Sequence, residues 1–159
     1  MHAIRTIGDQ DVAWILALNA QNEEATSPLD GARLRLMLGD AFHARAVNAA
    51  DGFIIPFDQS SAYWSENYRW FRERYPRFVY VDRIVIAGSA RRGGLARALY
   101  TDVFEAARRA GRQTVGGEVN VDPPNPASDA FHASLGFVEV GRATLSSGKT
   151  VRYLIKDLT

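Results

Sequence analysis

Apolar positions along this chain follow two rhythms, one of period two and one of period near 3.6. Val79 to Ile86 reads as a central strand, and Thr114 to Val121 as a second. Phe137 to Leu145 and Thr150 to Leu158 read as a closing hairpin around Ser146-Ser147-Gly148. Between the first two strands, Leu95, Leu99, Val103 and Ala106 recur at helical spacing, and Gly111 stops that helix near Ala110. The first half has the same texture. Ala3 to Ile7 predicts a short strand. Asp9 caps a helix running to about Glu23, with Val12, Ile15, Leu16 and Asn19 on one face. Ser27-Pro28 opens a second helix through about Leu38, with Leu29, Leu36 and Met37 along it. Phe42 to Asn48 alternates like a strand and turns at Ala49 to Gly52 into Phe53 to Phe57. A short helix over Ser65 to Arg74 lies in an aromatic and charged segment, and Asn125-Pro126 caps a last helix ending at Leu135-Gly136. Helices and strands interleaved in this way argue for one layered α/β domain over 1–159.

Composition narrows the functions open to that domain. The 159 residues carry a formal net charge of +1, so nothing suggests a nucleic-acid partner. No apolar run is long enough to cross a membrane and no leader pattern precedes the first strand, so the expectation is a cytoplasmic protein. The chain has no cysteine, which removes disulfides, thiolate catalysis and thiolate metal sites together. His2 and His43 are remote in sequence from His132, and no metal cluster is expected.

The most informative local pattern is the turn Arg91-Arg92-Gly93-Gly94-Leu95-Ala96, set between the central strand and the long helix. The first amides of a helix have no intrahelical acceptors and point together at one spot. The helix dipole makes that spot positive, so phosphate is its natural guest. Gly93 and Gly94 allow close approach, and Arg91 and Arg92 add full charges. A P-loop would need Lys and then Ser or Thr where Leu95-Ala96 stands. A dinucleotide fold would need GxGxxG, whereas these glycines are adjacent. The spacing that fits is Arg-x-x-Gly-x-Ala.

That spacing, with Ile84-Val85-Ile86 before it and Glu118-Val119, Asn125 and Phe131-His132-Ala133-Ser134-Leu135-Gly136-Phe137 after it, resembles the GNAT superfamily of acetyl-CoA-dependent N-acetyltransferases. The resemblance runs from about Val79 to Val140; the N-terminal half matches in element order. It implies a mixed, mostly antiparallel sheet flanked by helices, with splayed central strands. It implies acetyl-CoA as cofactor. The backbone of Ile84, Val85 and Ile86 would pair with the pantetheine arm, and the amides of Arg91, Arg92, Gly93, Gly94, Leu95 and Ala96 would hold the pyrophosphate. Asn125 would contact the cofactor near its cysteamine end. His132 stands where the family usually has a tyrosine that protonates the leaving thiolate. Glu118 matches a glutamate that some members use as general base.

Transfer of an acetyl group to an amine needs a base for the ammonium, a donor for the carbonyl oxygen and a proton for the thiolate. Glu118 alternates with Val115, Gly117, Val119 and Val121, so it projects from the opposite face of its strand. A mid-strand carboxylate is either functional, paired or solvent-facing. Asp82 on the preceding strand is a second carboxylate open to the same readings. His132 either touches the reaction or packs on a helix face. Trp70 and Phe71 are expected in the core, while Tyr63, Trp64 and Glu66 are candidates for an acceptor pocket. Arg97, Arg108, Arg109 and Arg112 read as a solvated helix face, from which one could meet the 3′-phosphate. The reading is direct N-acetyl transfer to an amine of unnamed identity, since no cysteine can carry an acyl group. The rival is a non-catalytic acyl-CoA-binding module. The closing hairpin is a candidate homodimer edge.

Overall fold

The computed structural model describes residues 2–23 and 26–159; Met1, Glu24 and Ala25 lie outside them. Seven strands form one sheet: β1 (Ile4–Thr6), β2 (Arg45–Val47), β3 (Gly52–Asp58), β4 (Phe78–Ile86), β5 (Thr114–Asn120), β6 (Val138–Thr144) and β7 (Thr150–Asp157). Their order is β1-β2-β3-β4-β5-β7-β6, and every neighbouring pair is antiparallel except β4 and β5. The helices are α1 (Val12–Ala20), α2 (Gly31–Asp40), α3 (Glu66–Arg72), α4 (Leu95–Arg109) and α5 (Pro126–Ser134).

Two cores lie on opposite faces of the sheet. One gathers Ile15, Leu34, Met37, Tyr68 and Phe71 from α1, α2 and α3 over Phe53, Phe57, Phe78, Tyr80 and Tyr153. The other packs Leu95, Leu99, Tyr100, Val103 and Phe104 of α4, with Leu135 and Phe137, on Ile54, Val79, Val81, Val115 and Leu154. Covered on both sides, β3 is buried throughout its length, as a two-layer sandwich of helices requires.

Several element boundaries differ from the sequence reading. The first helix ends at Ala20 rather than Glu23. The second starts at Gly31 rather than at Pro28, because the Asp30 carboxylate accepts from Arg33 N at 2.8 Å and sets the cap there. Leu29 is therefore outside that helix, and Leu36 is 73 % exposed. The second strand shortens to Arg45–Val47, since the residues before it leave the ladder, with His43 in the left-handed region at φ 59°. Arg112 is not on a solvated face: its guanidinium pairs with Asp58 at 2.8 Å.

Two features of the middle strands position the site. The β4–β5 ladder runs only through Phe78–Thr114, Val79–Val115 and Tyr80–Gly116, and beyond it the strands part. On the other side of β4 the register jumps from Ile55–Arg83 to Pro56–Val81, leaving Asp82 as an extra residue. Pro56 has no N–H to give a ladder, so a bulge falls naturally opposite it. The bulge rephases β4, so that Tyr80, Arg83 and Val85 all point to the α1–α3 side. Gly116, at the fork, carries Phe71 directly on its backbone; a Cβ there would overlap the ring. Gly116→Val is therefore expected to cost about 1–3 kcal/mol, as overpacking does, read as a shifted denaturation midpoint at unchanged slope. A variant as stable as the parent would show that the ring can move aside.

Candidate active site

The gap between the parted strands has a glycine-turn end and a carboxylate end. At the first, Ile84, Val85 and Ile86 pair with Ile54, Phe53 and Gly52 of β3. Their other edge faces the gap, past the last β4–β5 pair. A short 3-10 turn over Gly88–Ala90 then leads into Arg91 to Gly94. Arg92 and Gly94 both take left-handed conformations, at φ 69° and 76°. Gly94 is the N-cap of α4 and supplies no side-chain cap. The first-turn amides of a fifteen-residue helix are thus left for an outside acceptor. His2 lies beside the turn, its Nε2 4.0 Å from where a Gly94 Cβ would sit, a neighbour its distance in sequence concealed. Arg91 reaches instead toward α1, donating to Asn22 Oδ1 at 3.1 Å. An uncapped helix start with an open glycine and two exposed arginines fits a diphosphate. The unladdered edge of β4 fits an extended, amide-bearing arm.

Asn125 opens α5, where its side-chain oxygen accepts from Ser128 N at 3.1 Å, so that oxygen serves the helix cap. One turn beyond Ser128, His132 Nδ1 lies 2.8 Å from the Ser128 carbonyl. A carbonyl only accepts, so Nδ1 carries the proton and Nε2 is the bare nitrogen. Burial holds the imidazole below its usual pKa. Nε2 faces the Tyr100 hydroxyl at 3.4 Å, so the mobile proton of this pair resides on Tyr100. Tyr100 is buried against Phe131 and Phe137, which also surround His132. The sequence reading did not single it out.

At the other end, Glu118 projects from β5 toward the α3 side, with part of its surface still accessible. Its Oε1 accepts from Asn67 Nδ2 and from the Tyr80 hydroxyl, both at 2.7 Å, and Tyr80 also lies 3.1 Å from Oε2. Desolvation dominates its titration. Tyr80 and Asn67 pull the pKa down, Asp82 pushes it further up, and the carboxyl rises to about 8. No salt bridge ties it down among the described residues.

The remaining candidates are engaged elsewhere. Asp82 accepts from the Tyr63 hydroxyl at 2.5 Å and from Arg83 Nε at 2.7 Å, so both oxygens fasten structure together. Tyr63 is only 8 % exposed and stacks on Phe57, which makes it a core ring rather than a pocket wall. Glu66 accepts from the backbone N–H and hydroxyl of Ser146, tying α3 to the β6–β7 turn. Trp64 is 57 % exposed, with Arg69 over its ring. Sequence reasoning missed Asn67, Tyr80 and Tyr153 around Glu118. Tyr80 had a faint signal, as it shares a strand with Asp82; Asn67 had none.

A mixed sheet thus parts beside an uncapped helix start, with a raised carboxyl across the gap. The sequence pattern of the Acetyltransferase (GNAT) family matches residues 52–137, over half the chain. The chain belongs to this family, and it is an acyltransferase that uses acetyl-CoA. Among solved structures it is similar in fold to Ard1 from Thermoplasma volcanium, with a TM-score of 0.78 at 16% identity, covering 99% of this chain and 98% of that one. It is similar as well to the ribosomal-protein-S18-alanine N-acetyltransferase from Escherichia coli, with a TM-score of 0.73 at 17% identity over 100% and 95% of the two chains. A third is yncA of Salmonella typhimurium, a structure with its cofactor acetyl-CoA, with a TM-score of 0.70 at 18% identity over 100% and 95%. No curated protein matches by sequence. No helix among the described residues is long and apolar enough to cross a membrane.

The cradle makes a direct prediction. At Gly94, φ 76° excludes most side chains, so Gly94→Val strains the turn by roughly 1–2 kcal/mol and crowds the amides. Titration calorimetry is expected to give at least about tenfold weaker acetyl-CoA binding, one decade per 1.4 kcal/mol. Unchanged affinity would remove this turn from the cofactor site.

Proposed function

We propose that this enzyme is an N-acetyltransferase that moves the acetyl group directly to a primary amine, with Glu118 as the general base. The observation that carries this reading is Glu118 itself: a carboxylate at the parted strands, held by neutral donors and lifted to a pKa of about 8. An ordinary carboxylate near 4.3 is a poor base for an ammonium. One near 8 takes a proton from an α-amine of pKa about 7.7–8.0 at almost no cost, and from a lysine-type amine near 10.4 at a cost of about two pH units. Acetyl-CoA, when bound, supplies the acetyl group as a thioester and leaves as the free thiol.

The chain's own residues do the rest. The amides of Gly93 to Ala96, with Arg91 and Arg92, hold the diphosphate. The free edge of Ile84 to Ile86 orients the pantetheine arm. Glu118 removes the proton that keeps the amine from attacking. Tyr100 holds a proton at its hydroxyl, aligned by His132 Nε2, for the sulfur side of the reaction. His132 thus acts through Tyr100 rather than as an acid of its own, because its one proton is committed to Ser128.

The test is release of free thiol from acetyl-CoA against a panel of amines. Alanine-initiated peptides come first, since alanine is the residue in the name of the Escherichia coli neighbour. Free amino acids, polyamines and lysine side chains follow. Thiol release that depends on an amine, with the acetylated amine found by mass spectrometry, supports the reading. Binding of acetyl-CoA without turnover of any amine would favour a non-catalytic acyl-CoA-binding module and sink it.

A further inference from the structure

The two shortest side-chain bonds to Glu118 converge on the same oxygen. Oε1 takes both the Asn67 amide and the Tyr80 hydroxyl at 2.7 Å, which fills its two lone pairs. From side chains, Oε2 receives the longer Tyr80 contact, at 3.1 Å. Against the ionised carboxylate the Asn67 amide has one orientation. Its oxygen accepts from the Tyr153 hydroxyl at 2.9 Å, and an ionised carboxylate can only accept, so the nitrogen must face Glu118. Tyr153 is itself fixed. It lies opposite Glu118 in the β5–β7 ladder, is 1 % exposed, and stacks on Trp70 with ring centroids 4.1 Å apart.

We infer that Asn67, locked by Tyr153, is a positioning residue that reserves Oε2 of Glu118 as the atom that exchanges the proton with the acceptor amine. This rests on the base reading of Glu118 above and deepens it. Placing the proton on Oε1 instead would require turning the Asn67 amide over and reversing the Tyr153 hydroxyl from donor to acceptor. With Oε1 saturated, the proton leaves the ammonium nitrogen, forms a bond to Oε2, and the nitrogen keeps the electron pair with which it attacks. The titratable groups that face this carboxylate are Tyr80 and Asp82 from β4, Tyr153 from β7 and Tyr100 from α4, and each of them feels or shifts the Glu118 charge. Asp82 is paired with Arg83.

Two variants test the inference by a readout that packing alone does not move. In the whole protein with carbon-13 in its glutamates, the Glu118 carboxyl signal, assigned by its loss in Glu118→Gln, is followed through pH by NMR. The same variants are assayed for kcat/KM against pH. Asn67→Ala removes a donor to the ionised form, so the Glu118 midpoint is expected to rise by about one pH unit. kcat should fall while the KM for acetyl-CoA holds. Tyr153→Phe keeps the ring and its stack on Trp70 but frees the Asn67 amide, and a smaller shift in the same direction is expected. Should Asn67→Ala fold poorly, Tyr153→Phe carries the test alone.

Midpoints unchanged in both variants, with Glu118→Gln still inactive, overturn the positioning role and leave the base reading standing. A Glu118→Gln enzyme that keeps its rate and its pH profile overturns the base reading instead, and the positioning inference with it.

Discussion

Glu118→Gln is expected to lower kcat by about 10²–10⁴-fold, the usual range for loss of a general base, while the affinity for acetyl-CoA stays within twofold of the parent. Gln keeps the size of Glu and can still accept from Asn67 and Tyr80, so the frame around it survives. What disappears is the ability to hold a proton. The pH dependence follows from the raised carboxyl. A base works in its ionised form, so kcat/KM in the parent should climb about tenfold per pH unit below pH 8 and level off above it. Stability runs the other way. Glu118 titrates near 4.3 in the unfolded chain and near 8 in the folded one, so its contribution declines as pH rises between those values and stays unfavourable above pH 8. The uncharged variant is therefore expected to be at least as stable as the parent at pH 8 and above. An inactive, well-folded and fully cofactor-binding variant is the expected combination. Retained turnover would assign the base elsewhere.

Arg83→Met is expected to have the largest effect on stability. Arg83 is 4 % exposed and holds four partners: Asp82, Asn19, and both the carbonyl and the hydroxyl of Ser27. It therefore joins the bulge of β4 to the end of α1 and the segment leading into α2. Met is close in volume but donates nothing, which leaves the Asp82 carboxylate buried with Tyr63 alone of those two partners. Breaking a buried pair from one side costs about 3–5 kcal/mol. For a chain of this length that corresponds to roughly 6–20 °C in Tm. Adding Asp82→Asn to the same chain removes the orphaned charge and should recover part of the loss, a coupling that a double-mutant cycle measures directly. Full additivity of the two changes would mean that Asp82 and Arg83 act independently.

The legible parts of this protein are those governed by short-range rules. The turn from Arg91 to Ala96 could be read because uncapped amides, left-handed glycine and a helix start are consecutive in sequence. The long helix through Leu95, Leu99 and Val103 was equally plain, since one face of it is apolar at every turn. Boundaries failed where a competing cap was stronger: Pro28 offered a helix start, but the Asp30 carboxylate took the Arg33 amide and won. Alternation along β5 put Glu118 on the face opposite Val115 and Val119 but left open whether that face was a site, a salt bridge or solvent. Its partners were not legible, because Asn67, Tyr80 and Tyr153 come from three other elements and no local pattern joins them.

The sequence by itself thus determined which segments become strands and helices, and it placed a glycine turn at the start of the long helix, because periodicity and helix-end chemistry act over a few residues. Only the tertiary structure decided which carboxylate is available. Asp82 and Glu118 look alike as mid-strand acids. Asp82, the bulged residue, is paired with the buried guanidinium of Arg83 beside it. Glu118 meets only neutral donors at the parted strands, so burial raises it toward the range where an amine gives up its proton. Asp82 and Arg83 are adjacent in sequence, but it is the bulge in β4 that turns both to one side, and long-range packing that surrounds Glu118 with neutral donors.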